Sequence, residues 1–483
     1  MRSTHILSSL GNMLVVFGIC LFVPCLFAFG YQEERAYMYL INIAGCLIIG
    51  GLLKLCKRGS FELTTAESFA VVSGSWLACS FLGSLPYVMI LHIGLSDAFF
   101  ETMSGLTTTG ASIFSDIDAL PKSILMWRAL TQWLGGMGII VLMLAIFPML
   151  GSAAGQIYAA EVPGPSSDRL RPKIKDSAKI LWFVYLTMTI IEFILLVIPT
   201  DMSWFDAICI SFSTLSTGGF APHTASVAYW DSYYIDMLIT VFMFLAGCNF
   251  MLHYRALKGD FSQFWRNIEF KVFLVYTIII TALVTWSITY SHLKTYNNLS
   301  DGFRYAVFNV VSISTTTGFG TADFNLWAPL AKFLILILML MGACAGSTAG
   351  GIKIIRLIIT FKGMLHELLR TLFPSIIKHI KIEGTAVDKN IVRNIIFFCL
   401  IYIFVLIIGT LIMTASGLDI ITASTASLAC LSNIGPGLGD VGPAANFANI
   451  SDFGKWVLSG LMMIGRLEIY SVLILILPIT WKR

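Results

Sequence analysis

Asp97-Ala-Phe-Phe-Glu-Thr-Met-Ser-Gly-Leu-Thr-Thr-Thr-Gly110 lies without a gap over Asp206-Ala-Ile-Cys-Ile-Ser-Phe-Ser-Thr-Leu-Ser-Thr-Gly-Gly219. The Asp, Ala, second Ser, Leu, Thr and final Gly coincide, which marks an internal repeat. Two further stretches follow the same plan. They begin near Asp301 and Asp419 and end at Thr315-Thr316-Thr317-Gly318 and Ser432-Asn433-Ile434-Gly435. Each stretch is a half-length apolar segment set between two apolar runs long enough to cross a bilayer. A half-helix that stops inside a membrane points the negative end of its dipole at the centre, which favours a cation there. Beyond it, a few extended residues can turn backbone carbonyls inward and replace part of an ion's hydration shell. Gly110, Gly219, Gly318 and Gly435 permit the positive φ that such a turn needs. Irregular backbone at this depth is tolerated only where it faces protein or a cavity. The expected fold class is therefore an all-α polytopic membrane protein. Four helix–pore loop–helix repeats surround one pore with pseudo-fourfold symmetry, preceded by two extra transmembrane helices.

Composition agrees. Of 483 residues, 57% are hydrophobic and 12% charged, and the mean hydropathy is +0.83, which excludes an ordinary soluble enzyme. Ten full spans are expected: Leu10–Phe29, Met38–Leu55, Ser68–His92, Met126–Leu150, Ile180–Ile198, Tyr233–Tyr254, Phe270–Ile288, Leu330–Ile359, Ile395–Met413 and Trp456–Ile479. The units read as residues 1–60 for the leading helix pair and 61–160, 161–258, 259–385 and 386–483 for the repeats. The N-terminal run lacks a clean cleavage site and reads as a retained helix. The cysteines fall mostly in apolar sequence with no C-x-x-C, so they read as buried thiols without a disulfide framework. Most of the 31 Lys and Arg fall on one side of this topology. By the positive-inside rule both termini are cytoplasmic and all four dipping segments enter from outside. Carboxylates of the opposite loops, among them Glu33, Asp116, Asp118, Asp231, Asp323 and Asp452, would either concentrate cations or serve as ordinary solvated loop residues. The long basic stretches Gly151–Lys179 and Lys353–Arg393 carry topology and lipid-contact signals, or dock a soluble regulator.

The quartets differ in detail. The second is Ser-Thr-Gly-Gly and the fourth Ser-Asn-Ile-Gly, so only the Gly is common to all. One short ring of carbonyls with modest discrimination among alkali cations is expected. The aspartates that open the dipping segments read as helix N-caps. Within the second span of repeat 3, Gly342-Ala-Cys-Ala-Gly-Ser-Thr-Ala-Gly-Gly351 is either a close helix contact or a loop beneath the filter, and its four glycines favour the loop. Gly465-Arg466-Leu467-Glu468 places a charge near the middle of the last span, where it must face protein or water. Arg466 reads as a positive barrier below the filter, as a structural partner of Glu468 or a carbonyl, or as both. No paired-carboxylate or H-E-x-x-H constellation is present, so no enzyme is expected. An alternating-access symporter remains the alternative, because broken helices and repeats also mark such carriers. All four repeats share one orientation here, which fits a pore better.

The motifs T-T-T-G-A-S, Q-W-L-G-G-M-G, S-T-G-G-F, A-G-C-N-F, T-T-T-G-F-G, G-A-C-A-G-S-T-A-G-G-I-K, N-I-G-P-G-L-G and G-R-L-E occur in this order. Together they resemble the TrkH family of bacterial potassium-uptake proteins over essentially the whole chain. The match includes the two leading helices that the related KtrB proteins lack. The resemblance implies a potassium-translocating subunit of the bacterial inner membrane, a homodimer with one pore per protomer. It also implies a cytoplasmic TrkA-type partner that binds NAD and adenine nucleotides. The chain has no nucleotide-binding motif of its own, so it is expected to bind no cofactor, with potassium as substrate. The family's ion site falls on Thr108, Thr109 and Gly110, on Thr217, Gly218 and Gly219, on Thr316, Thr317 and Gly318, and on Asn433, Ile434 and Gly435. Its gating loop falls on Gly342, Ala343, Gly346, Ser347, Thr348, Gly350 and Gly351, and its arginine beneath the filter on Arg466.

Overall fold

A computed structural model describes residues 3–56, 64–138, 174–373 and 380–476. The expected spans Met126–Leu150 and Trp456–Ile479 run partly outside the described residues, as does most of the basic stretch Gly151–Lys179. The described chain is almost wholly helical. In order the helices are α1 (Ser3–Cys20), α2 (Phe22–Gly30), α3 (Tyr37–Leu55), α4 (Thr65–Pro86), α5 (Leu95–Leu106), α6 (Lys122–Met137), α7 (Ile174–Val197), α8 (Trp204–Leu215), α9 (Tyr233–Ala246), α10 (Phe250–Leu257) and α11 (Ser262–Arg266). There follow α12 (Ile268–Tyr290), α13 (Leu299–Ser314), α14 (Pro329–Leu340), α15 (Ile354–Leu372), α16 (Lys389–Ala415), α17 (Ile420–Leu431), α18 (Asp452–Arg466) and α19 (Tyr470–Ile476). Between α15 and α16, Lys381–Ile382 (β1) pairs antiparallel with Thr385–Ala386 (β2).

Among the described residues, six helices are long and apolar enough to cross a membrane, or seven if a pair bent by 101° at Gly247–Asn249 counts as one span. Their outward side chains are apolar, with Leu26, Phe404 and Leu411 each more than 60% exposed, a surface suited to lipid and not to water. Local signals start the helices where the hydropathy predicts. Thr64 and Glu67 form a reciprocal capping box on α4. Asn267 caps α12, and Ser451 caps α18. The leading α1 and α3 cross closely at Gly11 and Gly50, where a Cβ on Gly50 would lie 2.8 Å from the Gly11 carbonyl oxygen.

One expectation is corrected. The sequence shows a break only in the second span of repeat 3, yet this helix is interrupted or ends midway in every repeat. The α6 helix stops at Met137, and Gly138 has φ +72°. Between α9 and α10 the chain turns sharply at Gly247-Cys248-Asn249. The α14 helix ends at Leu340, and α18 gives way at Leu467-Glu468-Ile469, where Glu468 and Ile469 have φ of +57° and +51°. Hydropathy misses these breaks because most flanking residues stay apolar, no proline marks them, and the charges Arg466 and Glu468 signal buried partners and not a turn.

The short helices α5, α8, α13 and α17 are the four dipping segments. Each packs between the two helices of its own repeat. Each also touches the second helix of the repeat before it: α8 meets α6, α13 meets α9, α17 meets α14, and α5 meets α18. The contacts therefore run round in a closed cycle. Only one of the four opening aspartates is an N-cap. Asp419 accepts from the backbone N–H groups of Ile421 and Thr422, whereas Asp97, Asp206 and Asp301 lie in the first turn, and the cap positions there are Gly94, Ser203 and Asn298.

Candidate functional site

Every dipping helix ends in the same backbone turn. The first quartet residue, Thr107, Ser216, Thr315 or Ser432, is the C-cap. The second, Thr108, Thr217, Thr316 or Asn433, is left-handed, with φ of 53°, 53°, 59° and 55°. Its N–H bonds back to the carbonyl of Gly105, Thr214, Ile313 or Cys430 at 3.0, 2.9, 3.0 and 3.3 Å. The third residue's N–H reaches five back, to Ser104, Ser213, Ser312 or Ala429, at 2.8 to 2.9 Å. This pair of bonds is a Schellman C-cap, which satisfies the last carbonyls of the helix. A left-handed β-branched residue is unusual, and three of the four second positions are threonine. The fourth residue is Gly110, Gly219, Gly318 or Gly435, with φ between 80° and 100°.

The four turns meet one another. A Cβ on Gly110 would overlap the Gly218 carbonyl oxygen, one on Gly219 that of Thr317, and one on Gly318 that of Ile434. The cycle closes at Gly435, where a Cβ would lie 2.8 Å from the Thr109 carbonyl oxygen. The structure thus brings all twelve candidate ion-site residues into one ring. On one side of it lies an open cavity lined by Gly110, Gly219, Gly318 and Gly435 together with Ser112, Arg128, His223 and Asn446. On the other side, towards the basic loops, a second cavity is lined by Gly135, Gly136, Gly350, Lys353, Arg466 and Glu468.

Residues behind the turns hold them in place. In the first and third quartets the Thr107 and Thr109 hydroxyls pair at 2.8 Å, as do those of Thr315 and Thr317. In the fourth, Asn433 donates to the Thr109 hydroxyl and the Met462 carbonyl, both at 3.0 Å. A fully buried ion pair supports the first two. Glu101 accepts from Arg128 Nε at 2.8 Å and from the Ile113 N–H at 2.9 Å, while Arg128 also donates to the Ala221 carbonyl at 3.1 Å and lies 4.1 Å above the Phe220 ring.

Carboxylates of the opposite loops are mostly engaged in local bonds. Asp231 pairs with Arg304 at 3.1 Å, Asp452 accepts from Ser96 at 2.7 Å, Asp323 caps a turn at Asn325, and Glu33 holds Ser123. Asp118 meets His223 at 2.5 Å, and the other ring nitrogen lies 3.4 Å from Asp206.

Beneath the ring, residues 342–353 are an irregular segment pressed against the quartets. The Gly350 N–H donates to the Thr316 hydroxyl at 2.7 Å, and a Cβ on Gly350 would overlap the Ser432 carbonyl. Thr348 donates to the Leu215 carbonyl at 3.0 Å. Gly346 has φ +73° and packs on Asn249, and its carbonyl accepts from the Phe250 N–H at 3.0 Å. The segment doubles back on itself, since the Gly342 N–H bonds to the Ile352 carbonyl at 2.9 Å and the Ile354 N–H to the Ala343 carbonyl at 3.2 Å. Ser347 donates to the Cys344 carbonyl, and Gly351 has φ +66°. Arg466 forks across this region. One arm reaches the Thr348 carbonyl at 2.8 Å, and the other reaches the Gly135 and Gly136 carbonyls at 2.5 and 2.9 Å. Glu468 pairs instead with Arg356 at 2.5 Å. Lys353 bonds the Ala349 carbonyl. Buried Glu269, at the start of α12, accepts from the N–H groups of both Ala345 and Ile355 at 3.1 Å and so clasps the two shoulders of the segment.

A family model described as "TrkH: Cation transport protein" matches residues 37–480. The chain belongs to the TrkH family. The relatives "Trk system potassium uptake protein TrkH" of Vibrio parahaemolyticus and of Escherichia coli K12 are 38% and 37% identical to it, over 100% and 98% of both chains. "Trk system potassium uptake protein TrkG" of Escherichia coli K12 is 30% identical over 98% of this chain and 97% of that one. The "Crystal Structure of the Potassium Transporter TrkH from Vibrio parahaemolyticus" matches with a TM-score of 0.90 at 36% identity and covers both chains entirely. This TrkH-family chain is accordingly a multi-pass membrane protein. Sequence reasoning singled out the quartets, the 342–351 segment and Arg466, and the structure brings them against one another. It missed Glu269, and it gave no role to Glu101, Arg128 or Gln132. For the last three a charged or amide side chain inside an apolar helix was the available signal, whereas Glu269, in the first turn of α12, reads as an ordinary helix-start acid.

Proposed function

We propose that this protein takes up potassium across the bacterial inner membrane through a channel-like pore, with both termini cytoplasmic. The closed ring of four turns between two cavities carries the reading. Its pseudo-fourfold arrangement supplies Thr109, Gly218, Thr317 and Ile434 carbonyls to one passage, with four helix C-termini aimed at it. Residues 342–351 and Arg466 act as the gate between the ring and the cytoplasm. The chain works as a homodimer, each protomer with its own pore, regulated by a TrkA-type nucleotide-binding subunit on the basic face. The relatives' names, which speak of a Trk system for potassium uptake, support the substrate and the multi-subunit setting.

The interrupted second helices favour one other reading, an alternating-access cation symporter. Rubidium uptake by purified protein in liposomes separates the two. A pore carries rubidium down its own gradient with no pH or sodium gradient present, and Arg466→Ala raises the basal flux. Uptake that stops without such a gradient would establish the symporter instead.

A further inference from the structure

We propose that Gln132, on α6 of repeat 1, is a positioning residue that weakens one carbonyl of the ring, that of Gly218, and thereby sets the pore's preference for larger alkali ions. The proposal rests on the pore reading above. Gln132 is fully buried. Its Nε2 donates to the Gly218 carbonyl at 2.6 Å, and its Oε1 accepts from the Phe220 N–H at 3.0 Å. The partners fix the amide's orientation, because a backbone N–H can only donate and a carbonyl can only accept. The side chain therefore staples the second turn on both sides of Gly219.

Gln132 also explains the departure of the second quartet from the others. A Cβ on Gly218 would fall on the Gln132 amide carbon. The space that the third residue's side chain takes in quartets 1 and 3, where Thr109 and Thr317 bond Thr107 and Thr315, is filled here from α6. The consequence is electrostatic. A carbonyl oxygen has two lone pairs, and one of them on Gly218 is committed to an amide donor. Among the described residues, the Thr109, Thr317 and Ile434 carbonyls accept no hydrogen bond. The ring thus has three strong ligands and one attenuated ligand. A small ion gains most from a strong ligand field, so attenuation penalises sodium more than potassium or rubidium.

The test is the rubidium-to-sodium flux ratio of the full chain in liposomes. Gln132→Leu removes both bonds at similar volume and should shift the ratio towards sodium by roughly fivefold, the equilibrium worth of one ordinary hydrogen bond. Gly218→Thr combined with Gln132→Ala rebuilds the Thr-Thr-Gly of quartets 1 and 3. It should recover flux lost in Gly218→Thr alone while keeping the shifted ratio, and it serves as the readout if Gln132→Leu does not fold. A conducting wild type whose ratio survives in the folded variants, with only yield or total flux reduced, overturns this proposal alone. A wild type that carries no rubidium overturns the pore reading with it.

Discussion

Threonine at a left-handed position is the sharpest residue-scale feature of the site. Thr108, Thr217 and Thr316 hold φ values that a β-branched residue resists, at about 1–3 kcal/mol each. Asn433 occupies the same position with a side chain that tolerates it. Within the described residues the Thr108 hydroxyl has no hydrogen-bond partner, so little is lost by replacing it. Thr108→Asn should raise thermal stability by about 1 kcal/mol; a lowered unfolding temperature in detergent would count against stored strain there. His223 is the residue-scale pH element. Burial works to lower its pKa, but bonds to Asp206 and Asp118 outweigh this and hold it above the ordinary histidine value. Burial tends to raise Asp118, yet His223 and Thr224 hold it down at about 2. The histidine's contribution is complete below its ordinary pKa of about 6.5 and fades as pH rises through the elevated value. The aspartate's contribution is complete above about pH 4 and fades as pH falls towards its depressed value. The cluster's contribution to stability should therefore be greatest from about pH 4 to 6.5, and His223→Ala should reduce the alkaline decline that it causes. An unchanged alkaline limb in that variant would remove the cluster from the account.

At the scale of elements, small residues and one carboxylate decide how the broken helices sit. Gly135 on α6 and Gly465 on α18 lie so near the last carbonyls of α5 and α17 that a Cβ would overlap Leu106 O and Leu431 O. Gly135→Ala or Gly465→Ala should cost about 3 kcal/mol, because backbone on both sides must move. Melting curves that match wild type would show that these crossings are looser. Glu269 governs the 342–353 segment differently. Its loss strands two buried N–H groups, at about 1–3 kcal/mol each. Glu269→Ala should then raise basal rubidium flux, while Glu269→Gln, which keeps an acceptor oxygen, should stay near wild type. Equal flux in the folded Ala variant would mean that the clasp does not restrain the segment. The β1–β2 turn extends this arrangement to the basic face, where Glu383 accepts from the Ile268 N–H at the head of α12 at 2.8 Å.

For the whole molecule the decisive property is that the ring closes, and its tightness is uneven. An added Cβ on Gly110, Gly219 or Gly318 would overlap the next carbonyl oxygen, and one on Gly435 would lie 2.8 Å away, also too close, at a φ of +100° that side chains rarely adopt. Alanine at any of the four should abolish selective flux, at Gly110, Gly219 and Gly318 through the carbonyl clash and at Gly435 through its φ as well. If a folded alanine variant at any one of them keeps wild-type selective flux, that turn does not line the passage. Much of this plan was legible in the sequence, since the quartets, the half-length segments before them and the glycine run at 342–351 announce themselves by spacing. The interruption at Gly247–Asn249 was not legible, because apolar residues flank it and hydropathy has no term for a backbone that turns; at Leu467–Ile469 the charges of Arg466 and Glu468 were visible, but a charge inside a span marks a need for partners and not a turn. The acids of the opposite loops read either as a cation funnel or as solvated loop residues, and sequence distance hides the partners that several of them engage, such as Ser96 with Asp452 and Asp118 with His223.

By itself the sequence determined four like segments, each a short apolar helix closed by a glycine turn, because hydropathy and glycine's freedom at positive φ act locally. Which segment follows which around the ring, that Gln132 stands in for a side chain Gly218 lacks, and that Arg466 reaches three carbonyls on two other elements were decided only by the tertiary structure. Those contacts join residues up to 331 positions apart. No local preference encodes them; they arise because buried donors and acceptors must find partners once the helices have packed.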